Sequence, residues 1–320
     1  MLAGVAAELG DGRLELTSRG NVQLRGLAPD AGDEIGRRLH AVGLWPSASH
    51  ERVRNILASP LAGLDRDSDV SDLVRALDDA LCASPRLVEL SGRFLFAVDD
   101  GRGDVADLGP DVLVTRSGSD PIRSALALAH AFLDERAAQA SDAWRIGDLV
   151  EGAARVHARA GVAAPHRTGG AGPPTAGVLE QFDGGRALVL VVPLGRLGQA
   201  QARWLADVVG QRPARVTPWR SVVIPDAAPN LAADATALGF GVTADSAWLH
   251  VSACAGRPGC AKALADVRAD ARAALDRWPG RAVHWSGCGR RCGRPARTEV
   301  DVVATEGGYL IENHLDRQGQ

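Results

Sequence analysis

The chain has 320 residues, 46% of them hydrophobic and 23% charged, with a formal net charge of −3. That is enough apolar material for two or more cores, while no apolar run approaches the ~20 residues of a bilayer-spanning helix. Aromatic residues make up 4% and no basic stripe is interleaved with them, so neither a membrane nor a nucleic acid is indicated as a partner.

In chain order, a helix is predicted over 2–9, then a strand and turn in RLELTSRGNVQLRGL (13–27), a helix over 33–42, a loop in RVRNILASPLAG (52–63) and a helix over 70–82. Strands are predicted in RLVELSGRFLFAVDDG (86–101) and DVLV (111–114). The Gly- and Pro-rich HRTGGAGPPTAG (166–177) has the composition of a linker. Beyond it come strands in GVLEQF (177–182) and ALVLVVPLG (187–195), a helix over 197–209, a strand in ARVTPWRSVVI (214–224) and a short helix over 230–238. A strand and loop in AWLHVSACAGRPGC (247–260), a long helix over 261–278, and strands in RAVHWSGC (281–288) and EVDVVATEGGYLI (299–311) complete the order.

The two stretches repeat one order of parts. TSRGNVQLRG pairs with TPWRSVVIPD, RNILASPLAG with VSACAGRPGC, and LVELSGRF with AVHWSGCG. This pairing sets Arg54 and Arg93 where the second half carries cysteines. The second half opens on two strands before its helix and the first opens on the helix itself. One or two strands of the first half are therefore expected to be missing, through a start lying upstream or through natural loss, leaving a sheet edge uncovered.

Cys254 and Cys260 in ACAGRPGC, with Cys288 and Cys292 in SGCGRRC, form a C-x5-C…C-x3-C set. Four thiolates on two tight loops suit a cubane [4Fe–4S] cluster, in which each iron takes one sulfur. Gly256, Pro258 and Gly259, then Gly287, Gly289 and Gly293, let the backbone bend and aim N–H groups at anionic sulfur. Zinc and disulfides are the rivals; paired zinc ligands usually stand two to four residues apart, and five is wide. The opening MLAGVAAELGDGR lacks a signal-peptide pattern, which places the chain in the cytoplasm, where thiols serve metals more often than disulfides. Cys82 reads as a small core residue. Of the 36 basic residues all but Lys262 are arginine, so chemistry needing several lysines is excluded. His284 reads as a core histidine beside the cysteines ahead of an iron ligand. Asp99, Asp100 and Asp104 in VDDGRGD read as a turn ahead of an acid–base or iron site.

These residues resemble the nitrite and sulfite reductase superfamily: TSRGNVQLRG its T-x-R-x-x-x-Q element, RNILASPLAG its R-N loop, LSGRFLF its substrate segment, and the two cysteine pairs its cluster signature. The resemblance implies an α+β fold with a duplicated architecture, two ferredoxin-like half-domains (1–45 and 166–226) alternating with a tetrapyrrole-binding lobe (46–165) and an iron–sulfur lobe (227–320). Within the superfamily the chain is most similar to the precorrin-3B synthases of aerobic cobalamin synthesis, through RNILASPLAG, GRFLFAVDDGRGDVADLGPDVLV, VPLGRL, VTPWRSVVIPD and ACAGRPGCAKALADVRADA. That branch implies an oxygenase that hydroxylates precorrin-3A with molecular oxygen and closes a γ-lactone, using a [4Fe–4S] cluster, a mononuclear non-haem iron whose ligands are not assigned, and an electron donor of unknown identity.

Where reductases carry a lysine pair in K-F-K, this chain reads Arg93-Phe94-Leu95. Arginine grips an anion but gives up a proton poorly, which favours oxygen chemistry over multi-proton reduction. The last cysteine loop, GCGRRCGRP, also departs from the lysine and histidine found there in many relatives. By the same resemblance Cys254, Cys260, Cys288 and Cys292 are cluster ligands. Arg19, Arg25, Arg54 and Arg93 grip the acetate and propionate groups of the macrocycle, and Asn21 and Gln23 hydrogen-bond its oxygens or shape the turn. The alternatives are a sirohaem-dependent sulfite or nitrite reductase and a non-catalytic iron–sulfur tetrapyrrole-binding protein.

Overall fold

The computed structural model describes residues 1–164, 170–210, 212–295 and 297–314, and part of the expected linker (166–169) lies outside them. The elements in chain order are α1 (Leu2–Leu9), β1 (Leu14–Leu16), β2 (Val22–Leu24), α2 (Gly32–Ala41), β3 (Ile56–Ala58), α3 (Ser71–Ala83), β4 (Phe96–Val98), β5 (Val112–Val114), α4 (Pro121–Ala138) and α5 (Gly152–Ala160). Then follow β6 (Gly177–Glu180), β7 (Arg186–Val191), β8 (Arg196–Leu197), α6 (Gln199–Val208), β9 (Arg215–Val216), β10 (Ser221–Ile224), α7 (Leu231–Ala237), β11 (Val251–Ala253), α8 (Val267–Ala273), β12 (Val283–Ser286), β13 (Val300–Thr305) and β14 (Gly308–Asn313). The fold is α+β.

Two compact units divide these elements. The first comprises Met1–Ala31, Thr175–Leu179 and the chain from Arg186 onward; the second comprises Gly32–Pro174 and Glu180–Gly185. In the first unit, β1 lies between β2 and β8, antiparallel to both, with Leu14 opposite Leu24 on one side and Leu197 on the other. β1 is therefore paired on both sides, on one of them by a strand from the second half of the chain. A second antiparallel sheet runs β6-β7-β10-β9. All four residues of β10 and the last five of β7 are buried, and Ala6, Leu14, Leu190 and Ile224 share one core with them.

The third sheet of this unit, β11-β12-β13-β14, has parallel pairs at β11/β12 and β12/β13 and closes antiparallel at β14. Its core joins Val251, Val267, Val283, Trp285 and Val300. The second unit is built on the all-parallel sheet β3-β4-β5. Its central strand, Phe96-Ala97-Val98, is wholly buried, as a parallel strand covered on both faces must be.

Four elements differ from expectation. The helix predicted over 261–278 is only α8 with a 3-10 turn at Leu275–Arg277, because Asp266 caps it by accepting from the Ala269 N–H. The region 86–101 begins as a 3-10 turn, Pro85–Glu89, before β4. The helices α4 and α5 were not foreseen, although Asp120, which accepts from the Arg123 N–H, and Pro121 give α4 a regular cap and first residue.

The repeat is visible bond by bond in two hairpin turns. In one, the Thr17 N–H donates to the Asn21 carbonyl (2.9 Å) and the Gly20 N–H to the Thr17 carbonyl (3.2 Å). In the other, Thr217 N–H donates to Ser221 (3.0 Å) and Arg220 N–H to Thr217 (3.2 Å). Each threonine hydroxyl also accepts from the two matching amides, Arg19 and Asn21 in the first turn, Trp219 and Ser221 in the second. The matching is therefore Thr17 with Thr217 and Gly20 with Arg220.

The other expected pairings shift. Cys254 directly follows β11 and Cys288 lies two residues beyond β12, at the carboxyl ends of parallel strands, whereas Arg54 and Arg93 precede β3 and β4. By strand register, the places of Cys254 and Cys288 are taken in the second unit by Ser59 and Gly101. The short apolar strings look alike around either end of a strand, and only the ladder tells which end carries the loop.

Candidate functional site

Adjacent parallel strands stand about 4.8 Å apart, so β11 and β12 deliver Cys254 and Cys288 to neighbouring points at one edge of the sheet. The Cys254 N–H completes the ladder by donating to the Trp285 carbonyl (2.9 Å). The Gly287 N–H then donates to Cys254 Sγ at 3.1 Å, tying the second cysteine loop to the first. A Cβ on Gly287 would sit 2.7 Å from Ala263 Cβ and 3.4 Å from Gly256 Cα, so the two cysteine loops pack without room for a side chain between them. The Leu264 N–H donates to the Gly287 carbonyl (2.8 Å), joining the loops again. Cys254, Cys260 and Cys288 are half-buried and Cys292 is exposed.

Among the described residues no three cysteine sulfurs lie within 4.8 Å of one another. Four thiolates on one zinc at about 2.3 Å would stand only ~3.8 Å apart. The all-thiol donor set matches iron–sulfur chemistry. Cys82 is half-buried in α3, and burial pushes its thiol up, consistent with an unreactive role.

Asp301 on β13 holds the second cysteine loop. It is fully buried, and its Oδ2 accepts from Arg294 Nε (2.6 Å) on that loop and lies 2.8 Å from His314 Nε2, with Arg291 at 3.4 Å. Arg291 also pairs with Glu312 (2.7 Å). Asp301, Glu312 and His314 could together face a metal ion, but the two arginines already meet both carboxylates, so the set anchors the loop that carries Cys288 and Cys292. His284 on β12 is buried, with Nδ1 2.8 Å from Ser252 Oγ. Burial pushes its pKa down to about 4, so the ring is neutral near pH 7. Among the described residues its Nε2 has no partner of regular hydrogen-bond geometry, although the Cys292 backbone lies near enough to favour the protonated ring against the effect of burial.

Beside these loops lies a group of guanidinium side chains that the sequence did not point out. Glu15 on β1 is buried and meets Arg25 (2.6 Å), Arg268 (2.6 Å) and Arg196 (3.4 Å). Arg268 on α8 also donates from Nε to the Cys254 carbonyl (3.0 Å), which ties the β1–β2 hairpin to the cysteine loop through one side chain. Burial works to raise the Glu15 carboxyl, but hydrogen bonds from Arg268 and Arg25 hold it below the usual glutamate value.

Arg220 has a left-handed backbone (φ 56°), a conformation that costs a non-glycine residue ~1 kcal/mol or more. Gly195 makes room for it: a Cβ there would lie 2.7 Å from Arg220 Cδ. Its guanidinium has no ion pair or hydrogen bond among the described residues. Burial and nearby Arg268 depress its pKa, with Glu15 opposing. A left-handed backbone and a half-buried guanidinium without a direct partner make Arg220 a candidate contact for an anionic ligand. The signal in the sequence was arginine standing where its repeat partner has glycine.

Of the sequence-predicted residues, Arg19, Asn21, Gln23 and Arg25 lie together on the β1–β2 hairpin. Arg19 and Asn21 sit in the turn that Thr17 pins, and Arg25 donates to Gln23 Oε1 (3.2 Å) as well as to Glu15. Arg54 and Arg93 lie in the second unit. Arg54 is held fork to fork by Asp78 (2.6 and 2.8 Å) and by Glu51 (2.8 Å), so its charge is met within that unit. Arg93 stacks over Trp144, 4.1 Å from the ring centroid, with its guanidinium otherwise directed outward. Asn55 Nδ2 donates to the Gly92 carbonyl (3.1 Å), joining the two segments. Leu95 is 5% exposed, and Phe94 packs on Phe96 and Phe132. In VDDGRGD the Asp99 Oδ1 accepts from Gly101 and Gly103, Arg102 links Asp100 to Asp65, and Asp104 accepts from Ser59 Oγ (2.6 Å). This turn network fills the place that the cysteine loops occupy in the first unit.

Residues 1–42 match the profile of the nitrite/sulfite reductase ferredoxin-like half domain. A ferredoxin–nitrite reductase of Synechococcus elongatus is 29% identical over 97% of this chain and 74% of its own length. The NirA protein of Mycobacterium tuberculosis has the same fold, with a TM-score of 0.72 at 19% identity over 97% of this chain and 69% of that one. The chain is similar to nitrite and sulfite reductases, the resemblance that its motifs carry. A precorrin-3B synthase of Sinorhizobium is 26% identical over 98% of this chain and 75% of its own length, so the narrower resemblance has a counterpart as well. Among the described residues no helix is long and apolar enough to cross a membrane.

Proposed function

We propose that the chain is a precorrin-3B synthase-like oxygenase acting on a polycarboxylate tetrapyrrole, with a [4Fe–4S] cluster held by Cys254, Cys260, Cys288 and Cys292. The observation that carries the choice of branch is Leu95. In the segment where reductases hold a second lysine, this side chain is a buried aliphatic one, and no lysine other than Lys262 exists to replace it. A reductase of sulfite or nitrite needs several protons delivered to a small oxyanion, and arginine delivers them poorly. An oxygenase places one oxygen atom in the product and reduces the other to water with two electrons and two protons from a donor.

The chain's own residues then have definable tasks. Arg220 and Arg19 bind carboxylate arms of the macrocycle. Arg268 carries the position of β1 to the Cys254 loop. Asp301 fixes the loop of Cys288 and Cys292, and the Gly287 N–H donates to the Cys254 sulfur. A bound cluster would store and pass single electrons. A mononuclear iron is part of the same reading, with ligands unassigned, as is placement of the four predicted segments as half-domains and lobes.

The second reading, a sirohaem-dependent reductase, is favoured by the nitrite reductase relative. The deciding experiment is the spectrum and the iron, sulfide and tetrapyrrole content of protein purified anaerobically from a host that makes sirohaem, followed by precorrin-3A turnover with and without oxygen. A cluster spectrum without tetrapyrrole bands and oxygen-dependent turnover supports the oxygenase. Tightly bound sirohaem with nitrite or sulfite reduction overturns it in favour of the reductase, and a cluster with no turnover on any of these substrates leaves the non-catalytic alternative.

A further inference from the structure

An open cleft of about 460 Å³ lies on the first unit, lined by Arg13, Arg196, Arg272, Trp248, Leu238 and the first turn of α6. Its volume is within the ~300–1,000 Å³ of small-molecule sites. Arg196 reaches Asp11 (2.5 Å) and Glu15 (3.4 Å). Arg13, which precedes β1, and Arg272, on α8, make no side-chain hydrogen bond or ion pair among the described residues, and Asp266 is the carboxylate that acts on Arg272. Burial and the positive charges of Arg13, Arg196 and Arg268 push the Arg272 guanidinium below its usual value, as expected where cations crowd without enough anions. The α6 terminus adds to the field: its first-turn amides have no partners within the helix, and the N–H of Gly198 is satisfied by Gln201 Oε1 (2.9 Å). Opposite the cations, half-buried Trp248 and Leu238 provide an apolar wall.

We propose that this cleft binds a small molecule carrying two or more oxyanionic groups, carboxylate or phosphate, on an apolar or aromatic frame. Two unpaired guanidiniums ask for two negative charges in the planar geometry that carboxylate and phosphate offer, and the wall of Trp248 and Leu238 takes the remainder of the ligand. The site uses none of the residues assigned to turnover, so it stands or falls apart from that reading.

The test is isothermal titration of the full chain with inorganic pyrophosphate, citrate and uroporphyrin at low salt, repeated with Arg13→Ala/Arg272→Ala and with Arg19→Ala. Both cleft arginines are exposed and unpaired, so the double variant should retain its circular dichroism spectrum; should it not, Trp248→Phe and loss of the ligand-induced fluorescence change give the same readout. Saturable binding of pyrophosphate or citrate, weakened about tenfold or more in the double variant and unchanged in Arg19→Ala, supports a free small-molecule ligand. Binding of uroporphyrin alone with the same loss identifies the ligand as carboxylate arms of a tetrapyrrole. No saturable binding by any probe, or affinity unchanged in the double variant, overturns the proposal.

Discussion

Replacing Glu15 with glutamine should loosen the Cys254 loop. The substitution keeps the side chain's size and removes the charge shared by Arg268, Arg196 and Arg25. Breaking a buried ion pair at one partner costs about 3–5 kcal/mol. Arg25 is 38% exposed and contributes little to that cost, so the lower end, about 3 kcal/mol, falls mainly on Arg268, which is 9% exposed. Two compact units need not unfold in one transition, so the assay is hydrogen exchange at the Cys254 and Gly287 amides. At 1.4 kcal/mol per tenfold, exchange should quicken roughly 100-fold. Exchange within about threefold of the parent would refute the claim that Arg268 transmits the state of Glu15. The pH dependence follows with the same sign. The folded Glu15 value lies below the usual glutamate value, so its stabilisation is complete above the unfolded value and is lost as pH falls through the folded one. The glutamine variant should lack that acid-side slope.

Gly287→Ala brings a methyl group within 2.7 Å of Ala263 Cβ; the expected cost is about 1–3 kcal/mol with a lower iron and sulfide content, and a normal content with parent-like urea unfolding would contradict the packing argument. Arg220→Gly relieves a left-handed arginine and should leave stability within about 1 kcal/mol of the parent, while weakening uroporphyrin binding about tenfold or more. Unchanged affinity in that titration would remove Arg220 from the site. Burial pushes the Asp104 carboxyl up, despite the Ser59 hydroxyl and Arg102. The folded state therefore holds this proton more readily, and stability declines as pH rises through the raised value. Asp104→Asn should thus be more stable than the parent at pH 7 by on the order of 1 kcal/mol, and a less stable variant in urea at that pH would show that the ionised form is the one the network needs.

The parts of the fold that sequence reasoning reached were those with local signatures. The TSRGN turn follows from a threonine whose hydroxyl competes for nearby amides and a glycine able to adopt positive φ. Its counterpart TPWRS lacks the glycine, and the match became certain only through hydrogen bonds. The cysteines announced themselves by type and spacing. Arg268 and Arg196 did not, because nothing local distinguishes them among 35 arginines; their importance comes from Glu15, roughly 180 and 250 positions away along the chain. Arg54 was selected by position in a motif, yet Asp78 and Glu51 already satisfy it. The parallel ladder was equally out of reach, and it alone shows that Arg54 and Arg93 enter the strands whose cysteine-bearing counterparts are left at the opposite end.

The pairing of β1 with β8 sets a schedule for synthesis. Leu14 cannot meet Leu197 until 183 further residues have been made, a wait of about 10–40 s at ribosomal rates of roughly 5–20 residues per second. Meanwhile residues 32–174 are complete and can collapse on their own core. The nascent chain therefore carries an apolar amino-terminal hairpin and α1 past a finished unit before their partner strand emerges. Ribosome-bound fragments ending near residue 180 should accordingly be the ones that recruit chaperones, and those extended beyond residue 225, where β8 and β10 have both appeared, should release them.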